Sequence, residues 1–141
     1  MSRIIGLIAA LLVMLNHVSV SAHAILIVVN KDVEENALTQ QEIRNIFTGV
    51  QKTWGNRSRL VLATLKEGPA HEAFTKTHLR RTPRQFDNHW KQQVFTGSAK
   101  MPDSFSSEHE LLRFVETTPG AIGYVSSLSD VGDAVKKIKL Q

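Results

Sequence analysis

The sequence of 141 residues contains no cysteine. That excludes disulfide staples, thiol nucleophiles and cysteine-ligated metals, so stability must come from a packed core. Aromatic residues are also scarce, at 6%, with a single tyrosine and two tryptophans. No motif of interleaved aromatic and basic residues of the RNA-binding type is present, which argues against a nucleic-acid partner. Acidic residues number 13 against 17 basic ones, a formal net charge of +4. This mild excess permits an anionic ligand or surface without demanding one. There is no internal repeat, no low-complexity stretch and no linker that would divide the chain.

What the sequence does have begins at its N-terminus, "MSRIIGLIAALLVMLNHVSVSAHA". One basic residue, Arg3, precedes an apolar run from Ile4 to Leu15, and the stretch closes on the small-x-small sequence Ala22-His23-Ala24. This is the layout of a secretory signal peptide, predicted over residues 1–24 and followed by a single domain over 25–141. The apolar run falls short of the roughly 20 residues of a membrane-spanning helix, so no membrane span is expected after cleavage. No cysteine follows the run, which argues against a lipoprotein anchor. The expected location is the periplasm.

Along the remaining chain, "ILIVVN" at 25–30 is a continuous β-branched run suited to a strand covered on both faces. "LTQQEIRNIFTG" predicts a helix, with Thr39 and Glu42 spaced as a capping box and Gly49 as its stop. A strand is expected over Leu60 to Ala63. A helix follows with Gly68 as cap, Pro69 at the first position, and Ala70, Ala73, Phe74 and Thr77 facing inward. Thr82 and Gln85 form a second box, opening a helix whose apolar face is Phe86, Trp90 and Val94. "SAKMPDSF" reads as a loop. Ser107 and Glu110 cap another helix, "AIGYV" is a strand, and "AVKKIKL" is a lysine-rich strand suited to a sheet edge. Trp54, Phe86, Trp90 and Phe95 read as core aromatics. The order β-α-β-α-α-α-β-β predicts an α/β fold, a small mixed sheet flanked by helices.

No side-chain pattern for catalysis stands out. His71, His78, His89 and His109 form no H-E-x-x-H or other close metal spacing. His71 and His78 share a helix face, and without a third ligand such residues are more often surface groups than a metal site. There is no serine-nucleophile motif and no fixed carboxylate pair, so neither an enzyme nor a cofactor is expected. "KEGPAHEAF" instead joins a strand to a helix start, where free N–H groups and the helix dipole favour oxyanions. Pro69 removes one donor, which leaves the amides of Ala70 and His71. An ordinary strand-to-helix turn has the same sequence signature. Five basic residues, Lys76, Arg80, Arg81, Arg84 and Lys91, occur with Asp87 as the one acid between them. They read either as the rim of an anion site or acidic-partner face, or as a solvated helix face.

Several segments together resemble the periplasmic phosphate-binding proteins of ABC transporters, the PstS-like group. They are "LTQQEIRNIFTGVQKTW", "LVLAT", a helix with "AF", then "HW", "FTG" and "VETTPGAIGYV". The closest likeness is to the short, single-lobe members, in which Phe74, Leu79, Pro83, Trp90, Phe95-Thr96-Gly97 and Pro102 have counterparts. The resemblance implies one lobe of a type II periplasmic-binding-protein fold. It also implies that Gly123, inside the strand "AIGYV", lies near the ligand cleft. Two departures stand out. The family's Ser-Gly-Thr at the helix start is here Gly68-Pro69-Ala70, without either hydroxyl. A single lobe also supplies only half of a two-lobed site.

Two functions follow as expectations. In the first, the protein binds phosphate or a similar oxyanion for ABC-type transport or sensing. Gly68, Ala70 and His71 would hold the anion, Thr48 and Gly49 would add a turn amide, and Lys66 and His71 would add charge. A second copy or an envelope protein would complete the two-lobed site. In the second, the lobe no longer binds ligand and contacts an envelope partner through Lys76, Arg80, Arg81, Arg84 and Lys91. A metal site on His71 and His78 is a third, weaker reading.

Overall fold

The computed structural model describes residues 24–127, 129 and 131–141. The expected signal peptide therefore lies outside the described residues, apart from Ala24. A sheet of six strands has the spatial order β2-β6-β1-β5-β3-β4. In chain order these are β1 (Ile25–Val29), β2 (Ala37–Leu38), β3 (Val61–Leu65), β4 (Asp103–Phe105), β5 (Ala121–Ser126) and β6 (Lys136–Leu140). The helices are α1 (Gln40–Phe47), α2 (Pro69–Phe74), α3 (Pro83–Phe95) and α4 (Glu108–Thr117). A wider π-type turn, Thr75–Leu79, continues α2. The sheet is mixed: β1 runs antiparallel to β5 and β6, while β3 runs parallel to β5 and β4.

Local sequence explains where the helices begin. Thr39 Oγ1 accepts the N–H of Glu42, and a Glu42 carboxylate oxygen accepts the N–H of Thr39. Thr82 and Gln85 make the same reciprocal pair. Each box satisfies two amides that a helix start otherwise leaves unpaired, and such a cap contributes about 1 kcal/mol. Ser107 forms only the forward half, accepting from the N–H of Glu110. The Glu108 carboxylate instead accepts the N–H of Ser126, tying the start of α4 to the end of β5.

Glycine at 123 has a packing reason. An added Cβ there would sit 2.7 Å from Leu111 Cδ2 and 3.2 Å from the Ala63 carbonyl. What approaches the strand is therefore helix α4, not a ligand, and the expected cleft-side position of Gly123 is corrected. Side chains alternate across a strand. Tyr124, the next residue, points to the opposite face, where Phe74 stacks on it at 3.8 Å and Phe47 meets it edge-on at 5.9 Å. The core thus has two layers, with α4 on one face of the sheet and α1, α2 and the π-type turn on the other. Asn30, buried after β1, donates to the carbonyls of Val115 and Glu116 and so fastens the C-terminal end of α4.

Several sequence expectations are corrected. "SAKMPDSF" is not wholly a loop: Asp103–Phe105 forms β4, paired in parallel with β3. The lysine-rich strand β6 is not an edge, because the two-residue β2 covers it. The inward face of α2 and its continuation is His71, Phe74, Thr75, His78 and Leu79, whereas Thr77 is exposed. Hydrogen bonds make the polar members tolerable there: His71 meets Tyr124, His78 meets Gln40, and Thr75 donates to the Glu72 carbonyl. Trp54, Phe86 and Trp90 are core residues, but Phe95 is 92% exposed and Val94 42%. Both lie in the last turn of α3.

Candidate oxyanion-binding site

Strand β3 ends at Leu65, and Gly68 opens α2 with φ 103° and ψ 173°. That backbone region is open essentially to glycine alone. Among the described residues, nothing lies within 4 Å of the space a Cβ would occupy. Among the described residues, no side chain caps this helix start. Pro69 has no N–H, so Ala70 and His71 carry the free amides of the first turn. Lys66 is exposed immediately after β3, and its own N–H pairs with the Phe105 carbonyl. Gly68, Ala70, His71 and Lys66 therefore share one end of β3, as the sequence reading proposed.

The His71 side chain is differently placed from that reading. It is buried, and Nδ1 lies 2.5 Å from the Tyr124 hydroxyl. The same hydroxyl accepts the N–H of Leu65. An amide can only donate, so the phenol proton is available to His71 Nδ1, which accepts it when the neutral ring carries its proton on Nε2. Burial lowers the His71 pKa, against smaller upward pulls from Glu72 and Asp87. Burial likewise raises the Tyr124 pKa well above its ordinary value, partly countered by the Leu65 N–H. His71 therefore offers a backbone amide at the helix start, while its ring braces strand β5 and supplies no positive charge. Tyr124, which the sequence reading placed only in a strand, is the residue that joins β3, β5 and α2. A lone tyrosine in an otherwise apolar strand was the available signal, since a buried hydroxyl needs a partner.

Thr48 and Gly49 do not contribute as expected. The Thr48 N–H donates to the Arg44 carbonyl and the Gly49 N–H to that of Ile46, closing the end of α1. The amides are used within the helix cap and are not left for an anion. The Thr48 carbonyl accepts from His89 Nε2, which ties α1 to α3. Gly49, at φ 80°, lies under the Trp90 ring, where a Cβ would come within 2.9 Å.

The basic residues are spread over the junction of the π-type turn and α3. Lys76, Arg80, Arg84 and Lys91 are exposed and Arg81 is half-buried. Arg80 takes a left-handed conformation that ends the turn. Lys91 pairs with Asp87 at 2.7 Å. Both partners are well exposed, so the pair contributes little to stability but reduces the local positive charge. Among the described residues, no three His, Asp or Glu side chains form a group able to hold a metal ion. His71 and His78 are each engaged elsewhere. No helix among them is long and apolar enough to cross a membrane.

The family described as the PBP superfamily domain matches residues 14–138. No curated protein sequence matches the chain. Among solved structures, a proposed phosphate ABC transporter substrate-binding protein with bound phosphate, from Clostridium perfringens, aligns with a TM-score of 0.65 at 19% identity. It covers 84% of this chain and 45% of its own. PstS from Borrelia burgdorferi aligns at 0.61 with 10% identity, covering 84% and 47%. An ABC-type phosphate transport receptor from Vibrio cholerae aligns at 0.55 with 18% identity, covering 84% and 46%. The chain thus spans about half the length of these structures. It belongs to the PBP superfamily and has the fold of a PstS-like phosphate-binding lobe.

Proposed function

We propose that this protein is a periplasmic solute-binding-like protein that takes phosphate or a similar oxyanion at the start of α2, for ABC-type transport or sensing. The observation that carries the reading is the uncapped helix start after β3. There Gly68 holds a glycine-only conformation with open space before it, Ala70 and His71 present amides, and Lys66 stands alongside. Amides and a helix dipole at such a point stabilise an oxyanion without any chemistry being performed on it. The PBP superfamily fold supports the same role.

The test is thermal unfolding of the chain from Ile25 onward in phosphate, sulfate and chloride at matched ionic strength. A ligand at 100 times its Kd adds about 2.7 kcal/mol to stability, and phosphate is expected to raise the midpoint accordingly. Lys66→Glu, which places an exposed carboxylate beside the anion, is expected to remove the phosphate-specific shift. No shift at millimolar phosphate would sink the reading.

A second reading has its own support. Gly68-Pro69-Ala70 has no hydroxyl to offer, and four of the five basic residues from Lys76 to Lys91 are exposed. In that reading the lobe is an interaction module whose basic face meets an envelope partner. Reversing Arg80, Arg81 and Arg84 together would then abolish capture of that partner without lowering the melting temperature.

A further inference from the structure

A cavity lies at the opposite end of β3 from the Gly68 helix start. Residues 59–62 line it, together with the end of α1 and the segment 98–103. Its volume is about 250 Å³. Ile46, Leu60, Leu62 and Trp90 give it an apolar floor. β3 lies between β5 and β4, yet Val61 and Leu62 are only half-buried while Ala63–Leu65 are fully covered. The helix layer therefore leaves this part of the sheet open. Two devices keep the floor in place. Trp90 Nε1 donates to the Phe47 carbonyl, and the missing Cβ of Gly49 makes room for the indole.

The cavity wall is charged in one sense. Lys52, Arg59 and Lys100 line it against the single acid Asp103. Lys52 Nζ reaches the Ser98 carbonyl, at 3.4 Å. The side chains of Arg59 and Lys100 have no ion-pair or hydrogen-bond partner among the described residues. An apolar floor with free cations at its edge selects a molecule with an apolar body and an anionic end. The guanidinium of Arg59 matches a planar carboxylate, which it can bind through two parallel N–H donors. An apolar cavity of about 150 Å³ accommodates benzene, so this larger one has room for a ring or short acyl chain plus its carboxylate.

The geometry points to a binding site for small monocarboxylates with an apolar body, an aromatic ring or a short acyl chain, independent of the oxyanion reading of the α2 start. Inorganic phosphate and acetate lack the body, and neutral aromatics lack the charge.

The test is an amide and indole N–H titration of the folded protein by NMR, with benzoate and hexanoate as probes. Saturable shifts are expected at the Trp90 indole and at the amides of Gly49 and residues 98–101. The Trp54 indole, which donates to Gly120, and the amides of Ala70 and His71 should stay still. Acetate and benzyl alcohol should bind at least tenfold more weakly than benzoate. Arg59→Glu and Lys100→Glu change exposed side chains, and each should weaken benzoate about tenfold, the usual scale for losing one charge-assisted contact, with unchanged melting temperature. Three results would overturn the proposal: no saturable response to either probe, benzoate affinity in both charge-reversed variants equal to that of the unaltered protein, or a dimer in solution whose interface covers Trp90 and Leu62.

Discussion

One phenolic oxygen fastens three elements. Tyr124 sits in β5, accepts the Leu65 N–H of β3 and meets His71 of α2. Tyr124→Phe would keep the ring stack on Phe74 but strand the buried Leu65 amide and His71 Nδ1. Leaving a buried donor unsatisfied costs about 1–3 kcal/mol, so the variant should show that loss in urea unfolding while keeping its fold. A loss near zero would mean that water replaces the hydroxyl. Neither contact was legible in the sequence, because Leu65 and His71 lie 59 and 53 residues from Tyr124. Phe95 misled in the opposite direction. Its apolar ring argues for burial, yet among the described residues nothing covers the end of α3 where it stands.

Among the elements, those specified by local chemistry were readable. The Thr39/Glu42 and Thr82/Gln85 boxes mark helix starts through bonds spanning three residues. β4 was missed because it is a three-residue strand with exposed residues, created by the partner it pairs with. The glycine of β5 posed a question that only packing could answer: α4 presses Leu111 onto it. Gly123→Ala should cost about 1–3 kcal/mol through overpacking, measured as a lowered denaturation midpoint. Combining it with Leu111→Ala should cost less than the two single changes together, because the side chain that meets the new methyl is gone. Strict additivity would show that the Ala63 carbonyl, not Leu111, sets the constraint.

For the whole molecule, two buried histidines link stability to pH. Burial lowers the pKa of both His71 and His78 below the ordinary value. In the unfolded chain a histidine titrates near about 6.5. Below that pH the unfolded chain takes up protons that the folded one refuses, so unfolding becomes more favourable. Stability should therefore be insensitive to these groups above neutrality and should fall as pH drops from about 6.5 towards their folded values. Urea midpoints across that range check this, and midpoints that stay level or rise on acidification would contradict it. The same His71 ring then has a structural duty at the candidate site, bracing β5 while its backbone amide belongs to the first turn of α2.

The sequence by itself determined the class of fold, the main helix starts and the glycine-proline entry to α2. These depend on short-range bonds and on apolar runs whose period is visible in the chain. It also brought Lys66, Gly68, Ala70 and His71 to one place, because they are neighbours along the backbone. The tertiary structure alone decided that Thr48 and Gly49 spend their amides on the end of α1, that the His71 ring turns inward to Tyr124, and that Arg59 and Lys100 border an apolar cavity. Each of these depends on partners far apart in sequence, whose meeting is set by how the helices pack on the sheet.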